Sequence, residues 1–225
     1  MTAPQPPNDE LPNLRTTSWT VLGMLAFNEE LSGYDIDKWA DWTVRHFYWS
    51  PSTSQIYSEL KRLESLGYVV SRVQHDHEVR GRRIYQISEL GRDALSRWCG
   101  EGTVDPPMLK HGVLLRVWLG HLSDPDRLKK IVQEHIAYVD RMRQRVALDE
   151  QGAALEPGWA FSRVAMRWSQ RYYEAERELA LQLIKDIDEA TEEFVHAQRA
   201  ADGEVPMPAP GRWREVERWV QSHNA

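Results

Sequence analysis

A chain of 225 residues is long enough for one large domain or two small ones. With 41% hydrophobic and 28% charged residues it reads as soluble, and no apolar run approaches the ~20 residues that a membrane span needs. The net charge of −6 argues at first against a nucleic-acid partner, and the lone Cys99 excludes an internal disulfide or a multi-cysteine metal site, which points to an intracellular location.

Residues 1–14, rich in proline and with two acids, read as a disordered arm and not as a signal peptide. Trp19, Leu22, Leu25 and Ala26 share one helical face, so a first helix is expected over about 16–28. Ser32 can cap a second, with Asp35 and Asp37 at the positive end of its dipole and Ile36, Trp39 and Ala40 inward. After the aromatic connection "HFYW", Ser52 and Gln55 stand in the S-x-x-Q relation of a capping box. Ile56, Leu60, Leu63 and Leu66 then form an apolar stripe, and Gly67 ends the helix. Its other face presents Thr53, Ser54, Gln55, Ser58, Lys61 and Arg62.

Beyond Gly67 the period changes. "YVVSRVQH" and "RRIYQIS" are rich in β-formers and flank "DHEVRG", which reads as a hairpin with a glycine-containing turn. "SELGRDALSRWC" returns to helix. Three helices, a hairpin and a helix in residues 15–100 make the order of a winged helix-turn-helix, and this region carries eleven Lys and Arg against eleven Asp and Glu. The acidic surplus therefore lies mostly in the second half.

The glycines and prolines of 100–108 mark a domain boundary. From 108 to 225 an all-helical dimerisation or effector domain is expected. "MLKHGVLLRVWLGHL" reads as one helix, and Asp124 with Pro125 starts another. A long helix follows over about 159–200. Its Phe161, Trp168, Tyr172, Leu179, Leu183 and Ile187 form a coiled-coil-like seam, to be satisfied within the chain or by a second copy. Trp213, Val216, Trp219 and Val220 line a short final helix.

The run "SQIYSELKRLESLGYV" followed by "VRGRRIYQISELGRDAL" resembles the PadR family of bacterial transcriptional regulators. The matching positions are Ser52, Tyr57, Leu60, Leu63 and Gly67, the wing arginines Arg80, Arg82 and Arg83, then Tyr85, Ile87, Ser88 and Gly91. Ile87 and Ser88 replace the family's leucine and threonine, and the wing lacks its common proline. The resemblance covers about 18–97, with a looser likeness of the helical half to the dimerisation domain of a longer subgroup. It implies a cytoplasmic, homodimeric DNA-binding repressor on an inverted-repeat operator, relieved by an effector.

Chemistry fits that expectation. A helix in the major groove reads base edges with short hydrogen-bonding side chains and is positioned by phosphate contacts. Ser52 starts the reading helix. Thr53, Ser54, Gln55 and Ser58 are the candidate readers, with Gln55 able to pair bidentately with adenine. Tyr57, Lys61 and Arg62 are the candidate phosphate anchors, helped by Arg80, Arg82 and Arg83 on the wing. The bland reading is a solvated, well-capped helix and a charged turn. Trp98, Trp118, Trp159 and Trp168 offer flat surfaces for a small aromatic effector, or serve core and interface packing. His75 and His77 could share a strand face, but no further ligand accompanies them, so neither a metal nor a cofactor is expected. Cys99 is expected to be buried. No nucleophile elbow, phosphate loop or carboxylate pair suggests an enzyme. The competing class is a winged-helix protein–protein interaction module, with the acidic half as docking platform.

Overall fold

The computed structural model describes residues 11–223, except 28, 49, 77–78, 105 and 201–206, with backbone alone at 75–76 and 79–80. The chain divides into two compact units, one of 1–109 with 142–173 and the other of 110–141 with 174–225. The first break between the units follows residue 109. The return of 142–173 to the first unit was not visible in the sequence.

The first unit holds α1 (Thr16–Leu25), α2 (Gly33–Trp42), α3 (Thr53–Ser65), β1 (Val69–Asp76), β2 (Val79–Ile87) and α4 (Glu89–Glu101). Val21, Leu22, Leu25, Ile36, Ala40, Ile56, Leu60, Leu63, Val69 and Ile87 form its core. Each large side chain so buried contributes about 1.5–3 kcal/mol before entropy is counted. α1 stops at Leu25, short of the expected 28. α2 starts in a capping box made by Ser32 and Asp35, and α3 in one made by Ser52 and Gln55. Gly67, at φ 80°, ends α3 in the left-handed conformation that glycine adopts without strain.

β1 and β2 pair antiparallel, with Val69 opposite Ile87 and Gln74 opposite Arg82, and an irregularity between Gln74 and Asp76. Gly81 therefore lies inside β2, because the strands run longer than expected. The turn residues 77–78 fall outside the described residues. Leu31 exchanges both backbone hydrogen bonds with Tyr85, at 3.0 and 2.8 Å, and so ties the start of α2 to the wing. Gly91 allows α4 to abut the hairpin: a Cβ there would lie 2.2 Å from the Tyr68 carbonyl oxygen.

The end of α6 (Pro125–Ala153) and the start of α7 (Ala160–Ala200) complete this unit. Buried His46 and Asp149 meet at 2.8 Å between Nε2 and Oδ2, and Trp159 lies edge-on to Trp42 at 5.0 Å. The second unit contains the rest of α6 and α7 with α5 (Gly112–Trp118) and α8 (Arg212–His223). Leu128, Val132, Ala180 and Ile187 form its core, with Val113, Val117 and Leu183 packed against it. The single helix expected over "MLKHGVLLRVWLGHL" is not formed. Only Gly112–Trp118 is α-helical, followed by a 3-10 turn at Gly120–Leu122, since two glycines weaken the segment. Trp213, Val216, Trp219 and Val220 are all exposed on α8.

Candidate nucleic-acid interface

α3 presents a polar face at its N-terminal end. Ser52, Thr53, Ser54, Gln55, Tyr57 and Ser58 are all exposed, while Ile56, Leu60 and Leu63 are fully buried. The helix is thus held by one face and offers the other. Its hydrogen-bonding capacity is not all free. Gln55 Oε1 accepts from the Ser52 backbone N–H at 2.8 Å and from Ser52 Oγ at 3.0 Å. The bidentate adenine pairing expected of Gln55 is therefore blocked while the cap is made, because that pairing needs the same oxygen. Thr53 Oγ1 donates to Asp37 at 3.1 Å. Ser54 and Ser58 line a shallow groove of about 280 Å³ with Gln55, Glu59, Arg15 and Thr17. Sequence reasoning missed Arg15 and Thr17, because their proximity to α3 is a tertiary contact.

The anchors divide into two kinds. Lys61 is exposed on the open side of α3. Arg62 turns inward: its Nε bonds Glu59 at 3.0 Å and an NH2 group bonds Ser18 Oγ at 2.5 Å, and Ser18 also donates to Glu59 at 2.8 Å. Arg62 therefore neutralises a buried carboxylate and is not the free phosphate anchor expected. The Tyr57 ring is half exposed and covers Gly33 at the start of α2, where a Cβ would come within 2.5 Å of the ring.

Among the described residues, Arg72, Arg82 and Arg83 of the wing are paired within the unit. Arg72 bonds Glu30, and Arg82 bonds Asp35 and, at 2.8 Å, Ser32. Arg83 bonds both Glu64 oxygens at 2.9 Å and Ser71 Oγ at 2.7 Å. These contacts hold the carboxylates ionised. A hydrogen bond from Ser71 and the Arg83 guanidinium keep Glu64 below its usual pKa, against burial. Burial pushes Asp35 up, but hydrogen bonds from Ser32 and Arg82 outweigh it and hold it low. Glu30 is lowered by its bond to Arg72. These three arginines are thus already compensated. Exposed pairs of this kind add little stability, so a phosphate can displace the acid. The Arg80, His75 and His77 side chains lie outside the described residues.

Comparison with known proteins gives this surface a context. Residues 21–97 match the model of the transcriptional regulator PadR-like family. They form a PadR-like domain. The negative transcriptional regulator PadR of Bacillus subtilis is 30% identical over 105 residues, which are 47% of this chain and 57% of that one. This chain thus spans little more than half the length of that curated relative. Among solved structures, Bacillus subtilis PadR in complex with operator DNA is 20% identical with a TM-score of 0.64, over 77% of this chain and 99% of that one. The same protein in complex with p-coumaric acid gives 20% and 0.58, over 77% and 99%. These structural likenesses show the fold. The family is one of transcriptional regulators, not of enzymes.

Within the first unit Trp98 stacks on Trp19 at 5.1 Å and packs against the core. The other tryptophans singled out have different neighbours. Trp159 meets Trp39 and Trp42, Trp168 stacks on Tyr172 at 5.7 Å, and Trp118 lines an open cavity of about 620 Å³ in the second unit with Ile187, Phe194 and Val195. Phe161, Trp168, Tyr172 and Leu179 are exposed, whereas Ile187 is buried and Leu183 packs against the chain's own core. The last two therefore serve that core and not a second copy. Cys99 is exposed, contrary to expectation, because Ala94 and Leu95 take the buried face of α4.

Proposed function

We propose that this chain is a sequence-specific DNA-binding transcriptional regulator, acting in the cytoplasm as a homodimeric repressor on an inverted-repeat operator. The observation that carries the reading is the exposed serine face of α3, capped and braced from behind, in a PadR-like domain. Ser54 and Ser58 read base edges, Tyr57 and Lys61 hold the backbone, and Arg82 and Arg83 exchange their acids for phosphates on the flanking strand. A domain so evenly charged gains little from non-specific attraction. Two linked copies then supply the strength that one lacks. Phe161, Trp168, Tyr172 and Leu179 are the surface for the second copy, and two half-sites stand about one helical turn, roughly 10 bp, apart.

A small aromatic effector would release the operator by shifting the spacing of the two reading helices. This extends to the present chain what the printed descriptions say of the Bacillus subtilis protein, a negative regulator with complexes of operator DNA and of p-coumaric acid. The Trp118 cavity is the candidate seat. Fluorescence anisotropy with the promoter region of the protein's own gene tests the reading. Salt-sensitive binding that exceeds binding to random duplex supports it. Equal binding to both duplexes would instead favour a winged-helix module that recognises protein, a reading to which the internally paired wing arginines lend weight.

A further inference from the structure

Three side chains distant in sequence converge inside the second unit. His111 precedes α5, His135 lies on α6 and Glu176 on α7, and their ligand-capable atoms all lie within 4.8 Å of one another. His111 Nε2 and His135 Nε2 each stand 2.8 Å from the same oxygen, Glu176 Oε1. The two rings are 5.0 Å apart, edge to face. Side-chain exposures of 14%, 21% and 10% show a partly enclosed site, shielded yet reachable from solvent.

A carboxylate this enclosed calls for positive charge nearby. Burial pushes Glu176 up, but hydrogen bonds from His135 and His111 outweigh it and hold it below the usual carboxylate range. The groups that hold it there are the two imidazoles. We propose that His111, His135 and Glu176 bind a divalent first-row transition ion, of which Zn2+ is the representative. Two imidazole nitrogens with one carboxylate oxygen are ligands for such an ion and not for Mg2+ or Ca2+, which take oxygen. Small side-chain rotations bring the three atoms to bonds of about 2.0–2.2 Å, with the remaining positions left to water.

The site is coupled to a helix end. His111 Nδ1 accepts the Leu114 backbone N–H at 3.2 Å, the side-chain cap of α5. In the metal-free chain the proton of neutral His111 therefore sits on Nε2, facing Glu176. An ion on Nε2 moves that proton to Nδ1, where it opposes the Leu114 N–H, and the cap is lost. His135 likewise shifts its proton from Nε2 to Nδ1. Starting from neutral imidazoles, each ring keeps one proton, so the exchange itself releases none. Metal loading thus alters the start of a seven-residue helix whose Val117 and Trp118 line the 620 Å³ cavity.

The test titrates the chelator-treated full chain with Co2+, read by its visible d–d absorption, then displaces it with Zn2+. One ion per chain is expected, with binding weakened about tenfold or more in Glu176→Gln and in His135→Ala. His121→Ala, His196→Ala and the double variant His75→Ala/His77→Ala bind as wild type. Circular dichroism confirms that each variant is folded, and Zn2+ raises the melting temperature of wild type but not of Glu176→Gln. Absence of Co2+ absorption, or equal binding by wild type and folded Glu176→Gln, overturns the proposal. Loss of binding only in the His75/His77 variant overturns it as well, because the ion would then belong to the wing.

Discussion

Both carboxylate oxygens of Glu64, near the end of α3, accept from the Arg83 guanidinium on β2 at 2.9 Å. The helix and the wing are therefore bridged by the same arginine that is proposed to meet DNA. Glu64→Gln removes the competitor for that cation. Non-specific DNA affinity is expected to rise several-fold at low salt, and the slope of log K against log salt to steepen by about one unit. Anisotropy across a salt series measures both.

Arg62 and Lys61 are neighbours with opposite roles. Arg62→Ala leaves the buried Glu59 carboxylate with only Ser18 as partner. The cost is expected at about 1–2 kcal/mol, below the range for fully buried pairs because a third of the Arg62 side chain is exposed. Lys61→Ala should leave the melting temperature unchanged and lower the salt slope by about one. Thermal melts and salt titrations of the two variants separate the roles.

Tyr57 is positioned through Gly33. A Cβ at Gly33 displaces the exposed ring, which has room to swing, so Gly33→Ala should fold normally and bind DNA as weakly as Tyr57→Ala. Gly91→Ala is the contrasting case. There the clash is with the Tyr68 backbone oxygen, and a loss of about 1–3 kcal/mol is expected in urea melts.

Acid should loosen the wing. Glu30, Asp35 and Glu64 all titrate below their usual values in the folded chain. A lowered carboxylate adds stability that is complete above its unfolded pKa, about 3.9 for Asp and 4.3 for Glu, and is lost as pH falls through the lower folded value. Stability in urea is expected to be flat from neutral pH to about 5 and to fall below about 4. Glu64→Gln should show a shallower fall over the same window.

What could be read from sequence follows the range of each interaction. The capping boxes of Ser32–Asp35 and Ser52–Gln55 span three residues, so spacing alone revealed them. The partners of Arg72, Arg82 and Arg83 lie 42, 47 and 19 residues away, beyond any local pattern. α7 misled by one helical position. Its buried side is Met166, Ser169, Tyr173, Glu176 and Ala180, and the polar members conceal it from an apolar count. Ser169 bonds the Ala165 carbonyl at 2.9 Å and Glu176 bonds two histidines, so each is satisfied in place. The more apolar Phe161, Trp168, Tyr172 and Leu179 stripe is the one left exposed.

That exposed stripe is the surface proposed to carry the dimer. Trp168→Glu with Leu179→Glu, both on exposed positions, should give a folded monomer by light scattering and weaken operator binding far more than Lys61→Ala. A dimer that survives both changes would place the contact elsewhere.

The central claim is that the serine face of α3 reads bases. Its direct measurement is the ratio of affinities for operator and random duplex, at one fixed salt concentration, in wild type and in Ser54→Ala/Ser58→Ala. Neither serine is buried, so the variant folds. Operator affinity is expected to fall about tenfold or more while random-duplex affinity and the salt slope stay unchanged. An unchanged ratio would contradict the account.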